Sequence, residues 1–384
     1  MRDISRRHWL KATGTSIGLA ALAGCSGDGE GQDSTENQQE DTNQPTDETG
    51  SQEGTTIVPR SAGGSFGDLL TRVYYEPYEE ESNNTIESSH GDQGAAEAEI
   101  RANPDDPPYS LYYATNTTFY SLAEAGYIRD DVPDLFSDST LDKVIDAAIF
   151  DETVGDLVAP LGIIVNRDQV DIEINSWTDL HNSELEGRVA YPSWGFHGRD
   201  LFYFINSIEG GSIENIDPGL EYIRGLVEND LQIYDNSDHG LRLVTEEEVW
   251  VAPFYNARAH QANQDTDIDF EFVYPEGGSF LQVYGYSIPT GVEGEELDAA
   301  IDFYESIFTP EKAGKMAEAF SYHMSTIGWE EHVSDEVLNE NPFIPIPDED
   351  LEAMGEANSA VDWQGAVQYH DEHANRFRRI ITGG

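Results

Sequence analysis

Short apolar runs alternate along this chain with stretches in which apolar residues recur every three or four positions. Runs rich in β-branched and aromatic residues predict strands over 56–59, 109–114, 157–165, 188–191, 248–252, 270–274 and 281–288. Helical spacing predicts helices over 68–81, 118–125, 218–228, 295–308, 311–320 and 360–381, with Gly126 as the stop of the second. Strand–helix alternation of this kind predicts an α/β body. Residues 55–384 are too many for one small core and suit two lobes.

The first 54 residues carry no such pattern. Ser5-Arg6-Arg7 opens a basic start, a short run of small and apolar residues follows to Gly24, and together they read as a twin-arginine export signal over 1–25. The run is too short to span a bilayer. Leu22-Ala23-Gly24-Cys25 is similar to a lipobox, which makes Cys25, the only cysteine of the chain, the expected lipid anchor. A single cysteine excludes an internal disulfide, and leaves no cysteine-ligated metal or thiol catalysis in the body. Residues 26–54 contain no aliphatic or aromatic side chain, so nothing in them can be buried. They are expected to form a disordered acidic tether spanning roughly 30 Å. Lipid, tether and body in that order describe a protein held at the extracellular face of the cytoplasmic membrane.

Charge changes the reading of every carboxylate. The chain has 75 Asp and Glu against 20 Lys and Arg, a formal net charge of −55. Beyond the signal, Lys143, Lys312 and Lys315 are the only lysines. Acid runs through tether and helices alike, as in Glu79-Glu80-Glu81, rather than gathering in one place. That spread points to molar salt, where the Debye length is about 3 Å and self-repulsion is screened; the chain reads as a haloarchaeal surface protein. Nucleic acid is excluded as a partner, because nothing basic exists to neutralise phosphates. No His, Asp and Glu grouping has metal-ligand spacing that rises above this background, so no metal or other cofactor is expected.

Gly63-Gly64-Ser65-Phe66-Gly67 fits the Gly-x-Ser-x-Gly of a nucleophile elbow, after an apolar run and before a helical pattern. Under that reading the chain is a secreted serine hydrolase using Ser65. Against it, the motif lies on the first strand–helix turn of the body, with only tether upstream to supply an oxyanion loop. With no assembled nucleophile, metal or cofactor signature, no catalytic residue is assigned and the chain is not read as an enzyme. The same loop serves binding without covalent chemistry: glycines allow a tight turn, and a helix N-terminus offers unpaired N–H groups.

An ordered series of motifs runs through the body. Ser61–Ser65 and Tyr120–Gly126 come first, then Leu161–Asn166, Ser176-Trp177-Thr178-Asp179-Leu180 and Leu185–Ala190. Glu248–Ala259, Tyr274-Pro275-Glu276-Gly277 and Ser287-Ile288-Pro289 follow. From about residue 57 to 325 this series resembles the extracellular solute-binding proteins of ABC importers, in the subgroup that includes polyamine, iron and aminoethylphosphonate binders. The resemblance implies a two-lobed type 2 periplasmic-binding-protein fold with two crossover hinge strands, near 158–165 and 283–288. It implies lobe one from 55–160 and 287–384 and lobe two from 161–286, closing over a small-molecule solute. It also implies delivery to an ABC permease and its ATPase, by a protein expected to be a monomer.

In an open α/β sheet, ligands bind beyond the carboxyl ends of strands. That places Ser61, Gly64, Ser65 and Phe66 after the first strand, and Thr115 and Asn116 after the second. Lobe two would supply Trp194, Phe196, Phe254, Tyr255 and Asn256, and the second crossing Tyr284; each of these aromatics suits core packing as well. Arg258 would pair with a ligand acid or with a neighbouring carboxylate. In the resembled family, polyamine binders hold an ammonium with a Trp and an Asp just before the Ile-Pro pair, where this chain has Gln282 and Tyr284. Iron(III) binders place adjacent tyrosines in lobe two, whereas Tyr74-Tyr75 and Tyr112-Tyr113 fall in lobe one. A small polar organic solute, polyamine-like, phosphonate or similar, is therefore expected, with an iron(III)-binding protein of the same fold as the alternative beside the hydrolase.

Overall fold

The computed structural model of the chain describes residues 54–383; the export signal, Cys25 and the tether as far as residue 53 lie outside the described residues. β1 (Pro59–Ser61) leads into α1 (Gly64–Leu70), which continues through a π turn (Thr71–Tyr75) into a further helical stretch (Glu76–Glu81). α2 (Gln93–Ala102) is capped by Asp92, whose carboxylate accepts from Ala95 N at 2.9 Å. β2 (Leu111–Thr115) runs directly into α3 (Asn116–Glu124). Then comes β3 (Thr153–Asn166), fourteen residues buried at every position.

Beyond β3 lie α4 (Arg199–Ile208), α5 (Asp217–Glu228), β4 (Val251–Tyr255), α6 (Asn256–Asp265), β5 (Phe270–Val273) and β6 (Phe280–Ser287). The chain closes with α7 (Gly294–Ser306), α8 (Pro310–Phe320), α9 (Asp348–Ser359) and α10 (Trp363–Ile381). One mixed sheet joins the strands in the order β4, β3, β6, β2, β1, with β5 also paired to β3.

β3 explains the two-lobed form. A strand covered on both faces reads as a continuous apolar run, not an alternation. Leu157 and Val158 enter a first core with Leu69, Tyr74 and Phe303. Three residues later the odd-numbered side chains, Leu161, Ile163 and Val165, join Trp177, Phe202 and Tyr222 in a second core. Ile164, on the opposite face, joins Phe254 and Phe272 in a third. β6 runs antiparallel beside β3, from Phe280 opposite Leu161 to Tyr286 opposite Val154, so both strands cross between the lobes. The Tyr304 hydroxyl pins them where they meet, accepting from Tyr286 N at 2.9 Å and donating to Val154 O at 2.7 Å.

Asp156 lies in the first of these crossings, 2% exposed, and receives the hydroxyls of Tyr74 (2.9 Å) and Tyr113 (2.8 Å). Burial pushes it up to about 6, against the two tyrosines, which favour the carboxylate. Between pH 4 and 6 the folded chain therefore holds this proton more tightly than the unfolded chain. Its stability relative to an Asp156→Asn protein should fall as pH rises through that window, by an amount on the order of 2–3 kcal/mol, and level off above it. Urea unfolding of both proteins at pH 4, 5, 6 and 7 in constant salt checks this; a difference independent of pH overturns it.

Two expectations need correcting. The strand read over 248–252 lies three residues later, as β4, because its ladder to β3 runs from Val251 opposite Val165 to Tyr255 opposite Leu161. Pro253 reads as a strand stop but is accommodated opposite Ile163, with its carbonyl taken by the Tyr234 hydroxyl at 2.5 Å. The chain between 287 and 384 does not stay with the first core. Leu351 and Met354 of α9 belong to it, but Val361 and, in α10, Ala366 and Phe377 belong to the second. Aromatic packing draws α10 there: Phe377 lies 5.8 Å from Phe202 and 5.2 Å from Trp194, and Tyr203 bonds His373 Nδ1 at 3.1 Å.

Candidate functional site

Two adjoining cavities form a groove between the lobes. One, of about 420 Å³, is walled by Arg60, Ser61, Phe66, Tyr113, Tyr284 and Tyr322. The other, of about 540 Å³, is walled by Thr115, Thr117, Trp194, Phe196, Arg199, Asp200, Gln282 and Tyr284. Gln93 and Tyr284 border both. The carboxyl ends of β1 and β2 open here because each strand turns straight into a helix.

Of the residues singled out from sequence, six line the groove. Ser61 is buried, its hydroxyl 2.9 Å from His90 Nδ1. Phe66 packs 5.4 Å from Tyr113 and 5.4 Å from Phe320. Thr115 Oγ1 shares hydrogen bonds with Thr117 (3.2 Å) and Thr118 (3.0 Å). Trp194, Phe196 and Tyr284 stand opposite.

The other six do not reach it. Gly64 and Ser65 are exposed at the start of α1 and line neither cavity, and the histidine near this loop bonds Ser61 rather than Ser65. Gly64 is there for shape: its φ of +69° is one that L side chains adopt rarely. Asn116 is buried, accepting Val283 N at 3.3 Å, and so braces the hinge. Asn256 is buried too, accepting Ala257 N (2.8 Å) and donating to Phe343 O (3.2 Å). Phe254 points to the third core, 5.7 Å from Tyr234. Tyr255, its neighbour on the opposite face of β4, donates its hydroxyl to Gln282 and supports the groove wall from behind. The tyrosine pairs are likewise divided: Tyr74 and Tyr75 are core residues, while Tyr112 and Tyr113 border the smaller cavity.

What sequence reasoning missed is the charge in the groove. Arg199 Nε donates to Asp200 Oδ1 at 2.6 Å, and Thr117 Oγ1 donates to Asp200 Oδ2 at 3.0 Å. Asp200 is 4% exposed, whereas Arg199 keeps 31% of its side chain exposed toward the cavity it borders. Asp200 holds the guanidinium firmly charged, and the contact uses only Nε of a group with five N–H donors. Beside it, the buried indole Nε1 of Trp194 has no partner. His197, in a left-handed conformation (φ 54°), is pushed down to about 4 by burial, so it is neutral at ordinary pH. The groove thus offers a fixed cation between aromatic walls, an arrangement suited to an organic anion. A signal existed: an Arg-Asp pair opening the apolar helix Leu201–Ile205 has to bury charge.

Comparison with known proteins agrees with this architecture. The family described as bacterial extracellular solute-binding protein matches residues 74–333. No curated protein matches the chain. Among solved structures, the Atu4243–GABA receptor is similar over 85% of this chain and 98% of its own, with a TM-score of 0.66 at 17% identity. An ABC transporter structure from Clostridium perfringens ATCC 13124 is similar over 85% and 99%, with a TM-score of 0.67 at 19% identity. The PBP MotA of A. tumefaciens B6, in complex with glucopine, is similar over 85% and 100%, with a TM-score of 0.62 at 13% identity. At these identities the likeness is one of fold.

Proposed function

We propose, from the premise that this chain belongs to the bacterial extracellular solute-binding protein family, that it captures a small organic anion and hands it to an ABC permease. The observation that carries the reading is the Arg199–Asp200 pair bordering the groove between aromatic walls. A carboxylate or phosphonate there would complete the guanidinium, and the aromatic walls would take the rest of the solute. A GABA receptor among the similar folds, GABA itself bearing a carboxylate, supports that class. Lobe closure would be a rotation about β3 and β6.

Thermal unfolding in molar salt, screened over amino acids, other carboxylates, phosphonates, sugars, polyamines and ferric ion, tests the reading. A true acidic solute at about 100 Kd should add about 2.7 kcal/mol. No response to any acidic solute, or turnover of one, overturns it.

The proposal extends to residues beyond the described structure. Arg6-Arg7 would direct export in the folded state, and Cys25 would carry the lipid that holds the tethered body at the membrane. Among the described residues no helix is long and apolar enough to cross a membrane, in keeping with attachment through Cys25. A Cys25→Ala protein is expected to leave the membrane fraction; its retention there after a salt wash overturns the anchor.

A further inference from the structure

The chain carries the tripeptide Asn-x-Ser/Thr twice, at Asn83-Asn84-Thr85 and at Asn116-Thr117-Thr118. With any middle residue but proline, this tripeptide is the acceptor of an asparagine-linked glycan in exported proteins. So short a pattern also recurs by chance, and its surroundings decide. A chain exported through Arg6-Arg7 would arrive already folded, so only an asparagine on the finished surface could be reached.

The two places differ in every respect that bears on such a reaction. Asn116 is 3% exposed, and its Oδ1 accepts Val283 N in the hinge. The Thr118 hydroxyl is engaged by Thr115 at 3.0 Å and by Gln93 Nε2 at 2.9 Å. Asn83 and Thr85 are exposed, just beyond the helical stretch Glu76–Glu81, and neither side chain has a hydrogen-bond partner among the described residues.

The residue between them holds the loop in place. Asn84 Oδ1 accepts Thr55 N at 2.9 Å, and its Nδ2 donates to the Tyr78 hydroxyl at 2.7 Å. Thr85 N donates to Thr55 O at 3.0 Å. The backbone is thereby fixed while the Asn83 carboxamide stays in solvent. A Cβ on Gly54 would lie 1.6 Å from Asn83 O, so the chain enters the body directly against this loop. Residues 82–85 line neither cavity of the solute groove.

We propose that Asn83 carries an asparagine-linked oligosaccharide, set at the root of the tether and clear of the groove. An outer-face transferase would join Asn83 Nδ2 to the anomeric carbon of a lipid-linked glycosyl phosphate. The bond from that carbon to the phosphate oxygen breaks, and the amide proton leaves with the lipid phosphate. The proposal rests on the exported location read from residues 1–25, not on the nature of the solute.

Peptide mass mapping of the full chain, recovered from the membranes of its native cells, tests it. Trypsin leaves the two tripeptides on separate peptides, 73–101 and 102–129. Peptide 73–101 should exceed its sequence mass by one oligosaccharide, and 102–129 should not. Asn83→Gln and Thr85→Ala should abolish the addition, whereas Thr85→Ser, which keeps the hydroxyl, should retain it. An addition that survives Asn83→Gln, or one found on 102–129 instead, overturns the proposal. Protease added to intact cells separates it from its premise. If the chain is cut there, it is exported, and an unmodified 73–101 overturns this proposal alone. If the chain is out of reach, the outer-face reading falls and this proposal falls with it.

Discussion

Replacing Asp200 with alanine is expected to weaken solute binding at least 100-fold and to destabilise the body by about 3 kcal/mol. Among the described residues Asp200 is the only partner that fixes Arg199 through Nε, and it takes Thr117 from the other side of the groove. Its removal leaves a guanidinium without its counter-charge and the Thr117 hydroxyl with only Thr115 as partner; breaking one side of a buried pair costs about 3–5 kcal/mol. Because Arg199 is partly exposed, the lower end applies. The loss should persist in molar salt, which screens exposed charges far more than buried ones. Asp200→Asn, which keeps an acceptor for Thr117, should recover stability before it recovers affinity. Urea unfolding and calorimetric titration with the solute found by the thermal screen check both halves. An affinity within three-fold of the parent would remove Asp200 from the site.

Trp177→Ala should be as damaging without touching the groove. Trp177 is 1% exposed within the second core, its ring N–H donates to Gly278 O at 2.9 Å, and its carbonyl receives the Tyr222 hydroxyl at 3.2 Å. Emptying such a position costs about 3–5 kcal/mol, the transfer of the ring plus the cavity left behind. The loss should appear in whichever unfolding transition reports the second lobe, since a two-lobed chain need not unfold in one step. A cost below about 1 kcal/mol would mean that the loop before Gly278 collapses onto the gap.

Much of this was legible because period and burial speak clearly where a strand is covered on both sides. The run at 157–165 announced β3, and the Leu-Gly-Ile-Ile-Val-Asn motif within it marked the first crossing. Strand ends alone pointed to Ser61, Phe66 and Thr115, which line the groove, and equally to Gly64, Ser65 and Asn116, which do not. Legibility failed where three residues of register decide the face. With β4 ending at Tyr255 rather than Ala252, alternation sends Phe254 into a core and Tyr255 behind Gln282, a difference no local pattern contains. Charge failed for another reason. Against 75 acidic residues one Asp beside one Arg stands out only through the apolar helix that follows it, and burial separates Asp156, Asp200 and Glu152 from the solvated rest. α2, with Asp92 as its cap and two glutamates on its length, was hidden by the same background.

The return of the chain to the second core at Val361 has a mechanical consequence. Two strands alone would permit twisting as well as bending, and a third strut, secured in the second core by Phe377, would restrain the twist. Anything fused after residue 381 would ride with the jaw that carries Arg199. A dye there, paired with one on α1, would report the swing as a change in separation while leaving the capture groove untouched.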